Sequence, residues 1–132
     1  MAYDHTFEIP RLPPMNTAAT RRHWSHGHRE AKLWRQEIIL ATRGHRPLAP
    51  LQRARITLTR LSALRPDPDN LQTAFKPVVD ALTRTRRNVP RADVLWDDDP
   101  EHLERVYLWE YAPRGKGGVR VRVEEVAADP EG

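Results

Sequence analysis

The chain contains no cysteine. That absence removes disulfides, thiolate zinc sites and cysteine nucleophiles together, and it fits a reducing compartment. No apolar run approaches the length of a membrane span. The opening segment, MAYDHTFEIP, carries acids and no apolar leader core. The expectation is a soluble cytoplasmic protein with no membrane partner. Acid is scarce in one half of the chain. Residues 11–65 hold twelve Arg or Lys against only Glu30 and Glu37, whereas residues 66–132 hold ten against fourteen acids.

Nineteen of the twenty-two basic residues are arginine, whose planar fork suits phosphate oxygens. Segregated charge of this kind suggests a polyanion footprint beside a separate acidic site. Arginines that merely solvate a small surface are the plainer account, and alone the two weigh evenly. Clustered aspartates tilt the balance, because they repel nucleic acid unless a cation stands between. With 132 residues the chain reads as one domain, residues 1–126, with a flexible tail over 127–132.

Periodicity gives the order of elements. HTFEI, residues 5–9, reads as a first strand, and 16–29 as a loop. A helix is expected over 30–42, where Trp34, Ile38 and Ala41 share a face. Ile56 and Leu58 alternate with polar residues in a half-buried strand. The next helix places Leu71, Ala74, Phe75, Val78, Val79 and Leu82 on one face, with Asp69, Thr73, Lys76 and Asp80 opposite. Asp69 or Asn70 is its expected N-cap, and Pro77 should kink it. A short strand VLW leads into Asp97, Asp98 and Asp99. Two alternating runs, 104–111 and 119–126, joined through APRGKGG, read as a C-terminal β-hairpin. The fold class is α+β: a single small domain with a mixed sheet, two main helices and that hairpin.

Two acidic clusters each follow a strand-like run: Asp67 with Asp69, and Asp97 to Asp99. If those strands share a sheet edge, the carboxylates converge on a site for Mg²⁺ or its substitute Mn²⁺. Lys76 would then stabilise charge on a phosphate. Each piece has a duller account. PDPDN composes a good turn and cap, Asp99-Pro100 a helix start, and Lys76 with Asp80 a surface ion pair. His23, His26 and His28 form a histidine group without a carboxylate, a weak metal site. Trp34, Trp96 and Trp109 read as core, and Trp24, among arginines, as a contact for a base or sugar.

These motifs together resemble the RusA family of Holliday junction resolvases. FEIPRLPPMN is similar to that family's first strand and proline-proline-x-asparagine turn. RPDPDNLQ resembles its D-x-D-N-L motif, KPVVDAL its lysine helix, LWDDD its Trp-x-Asp-Asp segment and GKGG its glycine-rich turn. The resemblance implies a homodimeric, Mg²⁺-dependent endonuclease that cuts branched DNA, often of phage origin. It assigns Asp67, Asp69 and Asp99 as metal ligands, with Asp98 as the alternate, and Lys76 as the catalytic lysine. Arg21, Arg22, Arg65, Arg84, Arg86, Arg87, Arg91 and Lys116 would bind DNA phosphates. The family's lysine stands four residues after the second aspartate, a place held here by Thr73. Lys76 lies seven on, so the helix should either be deformed near Pro77 or rely on the lysine's reach. A catalytically silent DNA-binding protein of the same fold is the competing class. A D-x-D nucleotidyltransferase, lacking the preceding Gly-Ser, is the weakest.

Overall fold

The computed structural model describes residues 2–13 and 24–127. Four strands and three helical segments follow in the order β1 (Asp4–Ile9), α1 (Trp24–Thr42), β2 (Ala54–Ser62), α2 (Pro68–Ala74), α3 (Lys76–Leu82), β3 (Leu103–Tyr111) and β4 (Gly118–Glu125). The strands form one mixed sheet in the order β1-β4-β2-β3. The fold is α+β, as the element order implies. β1 and β2 both run antiparallel to β4, while β3 lies parallel to β2. A parallel neighbour requires a crossover, and α2 and α3 supply it.

The two last strands do run in opposite directions through the glycine-rich turn. They do not pair, because β2 lies between them, so the expected hairpin is a split one. The parallel partnership of β2 and β3 over nine residue pairs is what displaces β4. Gly117 lets the connecting loop close down: a Cβ there would stand 2.8 Å from Leu12 Cδ1 and 3.0 Å from the Leu61 carbonyl oxygen.

One face of the sheet is apolar. Ile56 and Leu58 on β2 register with Val123 and Val121 on β4, and all four are buried beneath the helices. Phe7, Ile9, Trp34, Ile38, Phe75, Val78, Val79 and Leu82 complete this core. The opposite face carries ion pairs, among them Arg122–Asp4 at 2.8 Å and Arg120–Glu110 at 3.1 Å. Alternation along each strand produces the division directly.

Other expectations need correction. α1 begins at Trp24, so the latter half of the segment read as a loop is helical. Its opening turns lack apolar spacing because positions 28 and 29 are exposed and face no core. VLW forms no strand beyond a single bridge between Leu51 and Leu95. Instead, the amides of Ala92, Asp93, Val94 and Leu95 bond to the carbonyls of Ala81, Thr83 and Leu82 at the end of α3. The segment thus satisfies the open carbonyls of a helix terminus, and Val94 and Leu95 are both buried rather than alternating. Of the three tryptophans expected in the core, only Trp34 is fully buried; Trp96 and Trp109 are half-buried.

The Pro77 helix is divided, as its sequence implies. α2 ends at Phe75, whose amide bonds to the Leu71 and Thr73 carbonyls, and α3 starts at Lys76 with Pro77 in its first turn. The apolar phase survives the break, since Leu71, Phe75, Val78, Val79 and Leu82 are all buried. The cap differs from expectation. Asp67 takes the N-cap place without a side-chain cap bond, because Pro68 fits the first helical position and starts the helix earlier.

Candidate functional site

An open cleft of about 520 Å³ lies between α2–α3 and the start of β3. From the helices come Thr73, Lys76 and Asp80, three members of the polar stripe opposite the apolar face. Arg105 and Tyr107 arrive from β3, where alternation turns them towards the helices, and Asp98 from the segment before it. The break at Phe75 sets Lys76 one turn before Asp80, at the head of α3.

Asp80 and Asp98 line the same cleft, near enough for one carboxylate to feel the charge of the other. Burial is the main influence raising the Asp80 carboxyl above its ordinary range, and the charge of Asp98 adds to it; Lys76 and Arg91 pull the other way. Arg105 hydrogen-bonds the Asp98 main-chain carbonyl and stands 3.7 Å from its carboxylate. Two carboxylates confronting each other, with cations at the rim, form a hard-oxygen environment in which a further cation would be welcome.

The neighbouring aspartates have other partners. Asp97 accepts from the Asp98 amide at 2.8 Å and from Arg86 at 3.2 Å. These contacts, the amide first, hold its carboxyl below the usual range. Asp99 accepts from the amides of Glu101 and His102 and meets His102 Nδ1 at 2.7 Å. It therefore braces the turn into β3, and Asp98 is the member of the pair that lines the cleft. Asp67 and Asp69 are exposed at the start of α2. Asp69 belongs to the same stripe, and its carbonyl accepts from the Thr73 hydroxyl at 3.0 Å. Asp69 stands eleven residues before Asp80, on the other side of the break at Phe75, and does not line the cleft. Among the described residues, no three His, Asp or Glu side chains stand together as a ready metal cage.

The arginines sort by engagement. Arg84 donates from Nε to the Trp96 carbonyl at 2.7 Å and lies over the Trp96 ring at 3.6 Å. Arg86 is tied to Asp97, and Arg91 donates to the Thr83 hydroxyl at 3.4 Å. Arg87 and Asn88, both at positive φ, form the tip of a tight turn closed by the Val89 amide on the Arg86 carbonyl. Asn suits that conformation. Arg87, Arg65 and Lys116 are exposed and hold no ion pair among the described residues. Arg65 covers the Trp109 ring at 5.7 Å. Arg21, Arg22 and His23 lie outside the described residues.

Sequence reasoning passed over Arg105 and Tyr107. Their signal was their even spacing with Leu103, a buried residue of the same strand. Compared with known families and with individually characterised proteins, the chain matches no family model and no characterised sequence. Among the described residues, no helix is long and apolar enough to cross a membrane.

Proposed function

We propose that this chain is a divalent-cation-dependent, structure-specific DNA endonuclease that acts on four-way junctions, working as a homodimer. The observation that carries the reading is the cleft in which Asp80 and Asp98 oppose each other beside Lys76 and Arg105. Fold stability alone gives no reason to half-bury a carboxylate against another. A cation that binds both offers one, and the all-oxygen donor set suits Mg²⁺, with Mn²⁺ as substitute. Asp80 and Asp98 would hold it, with Asp69 further along the same stripe. When bound, such an ion activates water and offsets charge on the scissile phosphate.

The chain's own residues provide the setting. Lys76, one turn from Asp80, lies where it can neutralise a phosphate oxygen. Arg105 fixes the main chain at Asp98 and so the direction of its carboxylate. Exposed Arg65, Arg87 and Lys116 are available to DNA backbones, so binding should weaken steeply with salt. The resemblance of RPDPDNLQ, KPVVDAL and LWDDD to the RusA motifs supplies the substrate class.

A second reading has its own support. Asp69 lies across the break at Phe75 and outside the cleft of Asp80 and Asp98, which favours a protein that binds branched DNA without cutting it. The two separate on cleavage of a synthetic four-way junction and a matched duplex, with Mg²⁺ or with EDTA, by the native chain, Asp98→Asn and Asp69→Asn. Mg²⁺-dependent nicking of the junction alone, lost in Asp98→Asn, supports the nuclease. Tight junction binding with no product in any condition would leave the binding protein.

A further inference from the structure

Towards the C-terminal end of β2, the core pattern is interrupted by a charge. Ile56 and Leu58 are fully buried, and the next residue of that face is Arg60, only 7% exposed. Its register partners are Val119 on β4 and Trp109 on β3. A third aliphatic residue would complete the face at no electrostatic cost. Among the described residues, the Arg60 guanidinium has one hydrogen-bond partner, the Pro13 carbonyl at 2.9 Å. Loss of water depresses its pKa, and among the described residues it has no ion pair to compensate.

Arg60 lines a cavity of about 340 Å³ at the C-terminal end of β2. Arg65 and Arg114 stand at the same cavity, and among the described residues no acid does. The remaining wall is mainly apolar, with Leu12, Pro66 and Pro113 offering flat hydrophobic surface. Three guanidinium groups suit the oxygens of a phosphate, and an apolar wall suits a sugar or base face. We propose that this cavity is a nucleotide subsite, with the phosphate on Arg60 between Arg65 and Arg114 and the base against Leu12, Pro66 and Pro113. The nucleotide is either free or one unit of a nucleic-acid strand. The subsite does not depend on the chemistry of the Asp80–Asp98 cleft.

Calorimetric titration tests it with thymidine 5′-monophosphate, thymidine and a five-residue oligothymidylate as probes. The proteins are the native chain, Arg60→Met, Arg114→Gln and, as control, Arg122→Met on the opposite sheet face. Arg60→Met keeps the buried volume, and Arg114→Gln changes an exposed residue that the fold does not need. The expected result is binding that depends on phosphate, at least tenfold weaker in Arg60→Met, several-fold weaker in Arg114→Gln and unchanged in Arg122→Met. If the mononucleotide binds as tightly as the oligomer, the ligand is a free nucleotide; if the oligomer alone binds, it is a strand. Failure of both phosphate probes to bind, or equal binding by native chain, Arg60→Met and Arg114→Gln, would overturn the proposal.

Discussion

The two ends of the β2–β3 crossover carry opposite charge, and each places it where the fold would prefer none. At one end Asp80 is half-buried against Asp98. At the other, Arg60 occupies a core position of β2 with the Pro13 carbonyl as its partner. Between them the same sheet face is wholly conventional, with Ile56, Leu58, Val121 and Val123 buried in register. Charge that costs stability at two separated points, with an ordinary core between, is the ground on which we propose two binding sites. The open face offers the contrast: its many charges are exposed, paired with neighbours and cheap.

The sharpest way to break this division is to remove what joins the ends. Phe75 is fully buried at the junction of α2 and α3 and packs near Tyr107, with ring centroids 6.2 Å apart. Phe75→Ala should cost about 3–5 kcal/mol in denaturant unfolding and disturb both ends together. A loss confined to one end would show that the two are set independently of the helix break. Next, Lys76→Ala should lower Mg²⁺-dependent junction cleavage about 100-fold while leaving the melting temperature nearly unchanged. Arg65→Ala, by comparison, should weaken junction binding and reduce its salt slope without abolishing cleavage.

Stability should move the other way when the misplaced charges are neutralised. Arg60→Met should leave stability unchanged or raise it by about 1–4 kcal/mol, read by thermal unfolding. Asp80→Asn should also stabilise at neutral pH. The native Asp80 carboxyl titrates above its unfolded value of 3.8, so its favourable contribution is complete below that pH and is lost as pH rises through the folded pKa. The advantage of Asp80→Asn should therefore vanish in acid, and an advantage independent of pH would contradict the account. The smallest effect concerns His5, stacked on His45 with ring centroids 4.4 Å apart. Burial, then His45, depress the His5 pKa below 6.5, so its contribution is present above that pH and lost as pH falls through the folded value. In His5→Phe the decline in stability below pH 6.5 should be shallower.

Much of this was legible in the sequence. Apolar spacing at 3.6 residues located the buried face from Leu71 to Leu82, and Pro77 located its break. Period two identified Ile56 and Leu58. The polar stripe from Asp69 to Asp80 was visible too, but its meeting with Asp98 depended on where the loop after α3 was anchored. That anchor is a set of main-chain hydrogen bonds from residues 92–95 to the end of α3, which side-chain patterns do not encode. Pairing order was hidden for a similar reason. Two alternating runs around a glycine-rich turn specify neighbours in sequence, and the insertion of β2 between β3 and β4 follows from the parallel crossover. Arg60, two residues after Leu58, went unnoticed in the sequence, and the cavity it lines required Pro66, Pro113 and Leu12 to be brought together from three loops.

The most direct test of the central claim is where a divalent cation binds. Mn²⁺ should be titrated, by calorimetry and by its paramagnetic broadening of side-chain resonances, into the native chain, Asp80→Asn, Asp98→Asn and Asp67→Asn. The account predicts one site in the native chain, lost or weakened at least tenfold in Asp80→Asn and Asp98→Asn and retained in Asp67→Asn, with broadening centred on Tyr107. Unchanged Mn²⁺ binding in Asp80→Asn and Asp98→Asn, with loss in Asp67→Asn, would contradict it and move the site to the start of α2.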